Sequence, residues 1–442
     1  MNDLIVKKIQ EAGVVGAGGA GFPTHVKAAS QAEMVIINGA ECEPLLQVDQ
    51  QLMALYPSLI IKGLQYMMES TGAEKGIIAL KEKYRNAIDA LNSELKKLNE
   101  KNISIYILED FFPAGDEQVL VYEVTGRVVP PGGIPLNVGV VVVNVETVFN
   151  VVKAVEKDEP VTEKFVTVVG ELSNPVTLKL PVGVIIEDLL TALGVNNLKD
   201  KVVIDGGPMM GNVIEDFSLP INKLTKGLII LPKEHSLVFK KTQKPTELVS
   251  QAKAACIQCS YCTELCPRFL LGHNLQPHKV MRNLNYLESL EDIDMVLICC
   301  ECGVCELYAC PMKLKPRTVN KILKQKLQEN GVNYKKEKQI RPPFKFRDFR
   351  KVPVKRLIEV LELRNYYKKA PLTKLEFKPQ KVKLSLKQHI GASAIPQVKV
   401  GQKVSKGEII ARIPEGALGA NVHASITGTV VEIKDYILIE SE

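Results

Sequence analysis

A chain of 442 residues, 46% apolar and 24% charged, has an ordinary globular composition and the length for two to four domains with cores of their own. With no tryptophan and few aromatics it offers no base-stacking surface, and no apolar run approaches the roughly 18 residues that span a bilayer. The net charge of +7, crowded between Lys233 and Lys381, reads first as a solvated basic face and second as attraction for an acidic partner.

Residues 1–160 alternate helical and strand-like segments. Leu4, Ile5, Ile9 and Ala12 share one helical face. Apolar runs at 34–37, 76–80, 103–108 and 138–145, with a helical pattern at 85–99, predict an α/β layer built on a mainly parallel sheet. Residues 161–235 change texture: short strands at 165–170, 177–180 and 202–205, a helix near 187–193, and the glycine-rich turn at 205–211 predict a small α+β module. Residues 245–330 carry nine of the ten cysteines and are mostly helical between loops. Residues 331–380 read as a basic connector with one helix at 354–363, and 381–442 as an all-β tail.

The cysteine spacing carries the most chemistry. Cys256, Cys259, Cys262 and Cys266 precede Pro267 at intervals of three, three and four. Cys299, Cys302, Cys305 and Cys310 precede Pro311 with one more residue before the last cysteine. Zinc sites use two pairs with a long spacer, and a disulfide framework belongs in an oxidising compartment. No cationic-then-apolar segment opens the chain, so a reducing, cytoplasmic setting is expected. The spacing is that of two [4Fe–4S] clusters, in which the fourth cysteine of each run ligates the other cluster. Cys256, Cys259, Cys262 and Cys310 are therefore assigned to one cluster, and Cys299, Cys302, Cys305 and Cys266 to the second. Cys300 could replace Cys299 only by breaking the interval to Cys302. The six histidines show no metal-ligand spacing; His273 and His278 are expected to hydrogen-bond beside the first run.

Gly16-Ala17-Gly18-Gly19-Ala20-Gly21 has the form G-x-G-x-x-G, but an amphipathic helix precedes it where a dinucleotide fingerprint requires a strand. What remains is a loop whose backbone N–H groups can close on a phosphate, with Lys27 one turn into the following helix. The strand at 34–37 runs into Asn38, Glu41, Cys42 and Glu43; Asp116-Glu117 and Asn144-Val145-Glu146-Thr147 flank later strands. Three polar strand ends beside one glycine loop predict a cofactor crevice. Cys42 reads as a small buried residue.

In this order, the glycine loop with Phe22-Pro23-Thr24, Asn-x-x-Glu-x-Glu-Pro, Gly-Asp-Glu and Asn-Val-Glu-Thr resemble the flavin-bearing, NADH-oxidising subunit of respiratory complex I. With the cysteine runs and the tail, nearly the whole chain resembles the RnfC family of ferredoxin:NAD oxidoreductase complexes. It is more similar still to the cobalamin reductases of propanediol-utilisation microcompartments. The resemblance implies FMN held by Gly16, Gly18, Gly19 and Lys27, with Asn38 and Glu41 near the flavin and Glu117, Asn144 and Thr147 completing the cradle. Phe22 matches an aromatic that stacks on the adenine of the nicotinamide cofactor. The chain departs from the complex I pattern at His25, Ala40, Asp116 and Val143.

The module at 161–235 looks like a soluble-ligand-binding β-grasp domain, and the tail resembles a biotinyl/lipoyl barrel-sandwich. That tail has no acceptor lysine between Arg412 and Lys434, so docking or structure is expected of it. The resemblance implies an NADH-dependent flavin/iron–sulfur oxidoreductase delivering electrons to cobalamin on an adenosyltransferase. Two alternatives stand beside it. One is an electron-input subunit of an Rnf-type complex with ferredoxin as partner, peripheral to a membrane and without a span of its own. The other is a non-enzymatic iron–sulfur relay.

Overall fold

The computed structural model describes residues 2–195, 197–243, 251–252, 254–283, 290–335, 341–375 and 377–441. The expected α/β layer is a four-stranded, wholly parallel sheet of β1 Met34–Gly39, β2 Lys75–Lys81, β3 Ile103–Leu108 and β5 Val140–Asn144, in the order β3-β2-β1-β5; β4 is the short strand Phe111–Phe112 outside it. Its strands are nearly continuous apolar runs because both faces are covered. Val35, Ile37, Ile78, Leu80, Val141 and Val143 pack against α1 Asn2–Glu11, α3 Val48–Leu55, α4 Pro57–Thr71, α5 Arg85–Lys97 and α7 Val145–Lys157. Ile36, Ala79, Val140 and Val142 face α6 Glu117–Thr125 and, from the cysteine region, Leu271.

Strand β1 lies between β2, which follows it, and β5, which comes much later in the chain. The connections therefore leave β1 in opposite directions, and the crevice at the carboxyl ends of β1 and β5 is a topological switch point. The last apolar run is shorter than its pattern suggests: residues 135–138 form a 3-10 turn and the strand begins at Val140.

The second sheet is built from β6 Glu163–Gly170, β7 Val176–Pro181, β8 Lys201–Asp205, β9 Asn212–Ile214, β10 Gly227–Pro232 and β12 Leu372–Thr373, in the order β12-β7-β6-β10-β8-β9. Strands β6 and β7 form an antiparallel pair, and β10 runs parallel to β6. The helix Ile186–Ala192 covers one face. The other face packs against Cys302, Val304 and Leu307 of the second cysteine run. The stretch read as a connector is built into both units. Val352–Pro353 pairs antiparallel with β4, and β12 adds parallel to β7. Its helix ends at Val360, earlier than the pattern indicates. The tail forms one four-stranded and one three-stranded sheet around a shared apolar core.

The extra residue of the second cysteine run has a local explanation. Val304–Tyr308 is a π-helical turn, closed by the Ala309 N–H donating to the Val304 carbonyl at 2.9 Å. An i→i+5 turn accommodates one more residue than an α turn, so Cys310 keeps its place after a longer interval. Among the described residues, no helix is long and apolar enough to cross a membrane.

Candidate functional site

Asn38 and Asn144 are register partners at the ends of β1 and β5. Asn144 caps α7, its Oδ1 accepting from the Glu146 N–H at 2.9 Å, and its Nδ2 donates to Asp49 at 2.9 Å. Asn38 Nδ2 donates to the Gly115 carbonyl at 2.8 Å, tying the second loop to the first. Lys27, on the short helix α2 Thr24–Ala28, crosses the crevice: its Nζ donates to the Val142 carbonyl at 2.8 Å and to Glu117 at 2.9 Å. Thr147 accepts from the Ala17 N–H at 3.0 Å and Gly16 donates to the Phe22 carbonyl at 2.9 Å, so the glycine loop is closed at its base and pinned to α7.

The tip of that loop is exposed and side-chain free. A Cβ on Gly18 would sit 2.8 Å from Asn144 Nδ2, whereas one on Gly19 would meet nothing within 4 Å. The loop tip thus packs its backbone against Asn144 at Gly18 and stands open at Gly19, with the Lys27 ammonium and two amide side chains along the same crevice, an arrangement that fits a group carrying a phosphate. Phe22 is half-buried with its ring centre 6.0 Å from Lys27 Nζ. Glu41 is turned elsewhere. In a left-handed conformation (φ 34°), it accepts from the Asp49 and Gln50 N–H groups at 2.9 and 3.3 Å and braces the start of α3. Burial, then the Asp49 carboxylate, push its pKa up to about 7. Lys27 is the cation of this crevice, and Lys27→Ala is expected to purify without flavin but with its full iron content; joint loss of both would show that the two sites are not separate.

Several pairings here escape sequence reading. Asp49 also pairs with Lys226, and behind it the buried Glu146 pairs with the buried Lys164. Glu43 accepts from the Met209 and Met210 N–H groups at 2.9 and 2.8 Å and fills the glycine-rich turn of the second module. Gly207 permits this, since a Cβ there would lie 2.1 Å from the Glu43 carboxylate. Cys42 is only half-buried, packed at the edge of the core of the second module, and desolvation chiefly pushes its thiol up to about 11. The tail closes over the flank of the loop: Lys223 Nζ donates to the Gly13 and Asn421 carbonyls at 2.8 and 3.0 Å, joining three parts of the chain.

Cys256, Cys259, Cys262 and Cys310 line one small pocket that opens to solvent, with His278 in its wall. Burial and then the neighbouring Cys310, Cys259 and Cys256 push Cys262 up to about 12. N–H groups already point at the sulfurs, Gln258 Nε2 to Cys256 at 3.1 Å and the Leu314 N–H to Cys310 at 3.3 Å. Cys266, Cys299, Cys302 and Cys305 are all buried and lie near one another. Cys299 accepts from the Glu301 N–H at 3.4 Å and from Asn320 at 3.7 Å. Among the described residues no three ligand-type groups converge on a single ion. Four thiols around a cavity suit a cube held at its corners instead. His278 bonds Thr263 at 2.7 Å, and His273 bonds the Val129 carbonyl at 2.9 Å.

The two centres are joined by one buried pair. Asp116, cap of α6 and neighbour of Glu117, takes both terminal nitrogens of Arg268 at 2.5 and 2.9 Å; Arg268 lies two residues after Cys266.

Comparison with known proteins matches residues 9–153 to the Nuo51 FMN-binding domain, residues 255–315 to a 4Fe-4S dicluster domain and residues 354–442 to the RnfC barrel sandwich hybrid domain. The chain is 46% identical over 433 residues to cobalamin reductase PduS of Citrobacter freundii, covering 98% of this chain and 95% of that protein. It is 45% identical over 435 residues to cobalamin reductase PduS of Salmonella typhimurium, with the same coverage. Identity to the RnfC-type component of the Na(+)-translocating ferredoxin:NAD(+) oxidoreductase complex of Acetobacterium woodii is 34% over 297 residues, 66% of this chain and 64% of that protein.

Proposed function

From the premise that this chain belongs to the PduS-type cobalamin reductase family, we propose that it takes electrons from NADH and delivers them singly to cobalamin carried by an adenosyltransferase. Bound FMN supplies the conversion of a hydride into single electrons, and the clusters supply one-electron conduction. In this reading the amides of Gly18 and Gly19 at the loop tip and the Lys27 ammonium hold the phosphate, while Gly16, whose N–H is taken by the Phe22 carbonyl, shapes the base of the loop. Asn38, Glu117, Asn144 and Thr147 shape the cradle, Glu41 braces it through α3, and Phe22 receives the dinucleotide. Cys266, Cys299, Cys302 and Cys305 hold the cluster next to the flavin crevice, excluded from water. Cys256, Cys259, Cys262 and Cys310 hold the one that meets the acceptor at the surface.

The observation that carries this arrangement is the Asp116–Arg268 pair, which bolts the loop bearing Glu117 to the helix that follows Cys266. The relation to the Acetobacterium protein supports a second reading, electron input to a larger complex with ferredoxin as partner. Family membership favours the first reading and a cytoplasmic or microcompartment location.

Protein purified without oxygen is expected to carry about eight irons and one FMN and to bleach rapidly in its flavin and cluster bands on adding NADH. Flavin and clusters that ignore NADH but bleach with reduced ferredoxin would transfer the assignment to the second reading. A preparation with iron but no flavin, inert to NADH, would reduce the protein to a relay.

A further inference from the structure

Arg268 and Asp116 are two opposite charges held in fixed positions between the candidate cofactor centres. Their side chains are 9% and 13% exposed. Both oxygens of Asp116 face the guanidinium, and Oδ1 also accepts from the Gln118 and Val119 N–H groups at 3.1 Å. The carboxylate therefore cannot turn away without uncapping α6. The guanidinium belongs to the short helix that follows Cys266, two residues after that thiol, and the carboxylate to the loop that bears Glu117. The pair is thus directional, with its cation towards the second cysteine set and its anion towards the loop of Glu117.

A cluster that accepts an electron gains one negative charge and, in the simplest case, no proton or bond. A fixed cation beside it favours the reduced state and a fixed anion the oxidised state, most strongly where water is absent. We propose that Arg268 and Asp116 are positioning residues that set the potential of the cluster held by Cys266, Cys299, Cys302 and Cys305, the guanidinium raising it and the carboxylate lowering it. This rests on the assignment of two clusters made above.

The test is an anaerobic redox titration of the full-length holoprotein, following both clusters by electron paramagnetic resonance, with iron and flavin assayed in each sample. Arg268→Gln is expected to shift one cluster to lower potential and Asp116→Asn to shift the same cluster to higher potential. Each should change its reduced-to-oxidised ratio at fixed potential on the order of tenfold. The surface cluster should hold its wild-type value, and Arg268→Lys should restore most of the first shift. Opposite signs are the discriminating result, because loosening of the structure would move both variants the same way. Shifts of one sign, equal shifts in both clusters, or none would overturn the proposal. Should Arg268→Gln lose iron, the rise in Asp116→Asn and the value in Arg268→Lys decide it alone. Fewer than two cluster signals in the wild type would overturn the cofactor assignment itself, and this inference with it.

Discussion

Cys266→Ala is expected to lose about half of the iron, and the half that goes is the cluster built on the second cysteine run rather than on its own. Cys266 is buried and lies near Cys299, Cys300 and Cys305, while Cys310, from the far end of the second run, shares the solvent-open cavity with Cys256, Cys259 and Cys262. A thiolate removed from the interior leaves one corner of a cube without a ligand in a place water cannot easily fill. Iron analysis with electron paramagnetic resonance should show one cluster signal surviving. In the proposed arrangement the missing cluster is the one beside the flavin crevice, so NADH should still bleach the flavin while the surviving cluster reduces slowly or not at all. Loss of the surface cluster instead, with the buried one intact, would refute the exchange of ligands between the runs.

Much of this arrangement is legible in the chain, and the part that is not has a common cause. The strands at Met34–Gly39 and Val140–Asn144 show as apolar runs because both faces of their sheet are covered. The alternation of such runs with helical patterns then implies parallel pairing. Cysteine intervals are local, so they announce their chemistry directly; even the additional residue before Cys310 has a local structural answer in the π turn. Pairings between distant segments leave no such trace. Nothing marks Glu43 as the partner of Met209 and Met210, or Asp116 as the partner of Arg268: their places at strand ends are visible, but the distant groups they meet are not. Val352–Pro353 and Leu372–Thr373 are too short to carry a period, which is why a stretch that completes two sheets reads as a connector. Glu41 shows a different limit: its place at a strand end is visible, but the turn of its carboxylate into α3 depends on a left-handed backbone that the sequence does not display.

The buried pair of Glu146 and Lys164 joins the first α/β unit to the second module. Glu146 lies in the first turn of α7 and Lys164 on β6, and their side chains are 1% and 2% exposed. One carboxylate oxygen takes the ammonium and the other accepts from the Phe165 N–H at 3.1 Å, so the anion is held from two sides. Truncation to Glu146→Ala strands both a buried ammonium and a backbone donor. That should lower stability by about 3–5 kcal/mol, far beyond the loss from an exposed ion pair. Urea unfolding followed by near-ultraviolet circular dichroism would measure it, and flavin should be released at lower urea than in the wild type, since α7 also carries Asn144 as its cap and Thr147 as the anchor of the glycine loop. Replacing both partners by apolar residues of similar volume, Glu146→Leu with Lys164→Met, removes the desolvated charges together and should recover most of the stability. The recovery stays incomplete, because the Phe165 N–H is left without its acceptor. If Glu146→Ala alone falls within about 1 kcal/mol of wild type, water reaches the ammonium and the junction is wet.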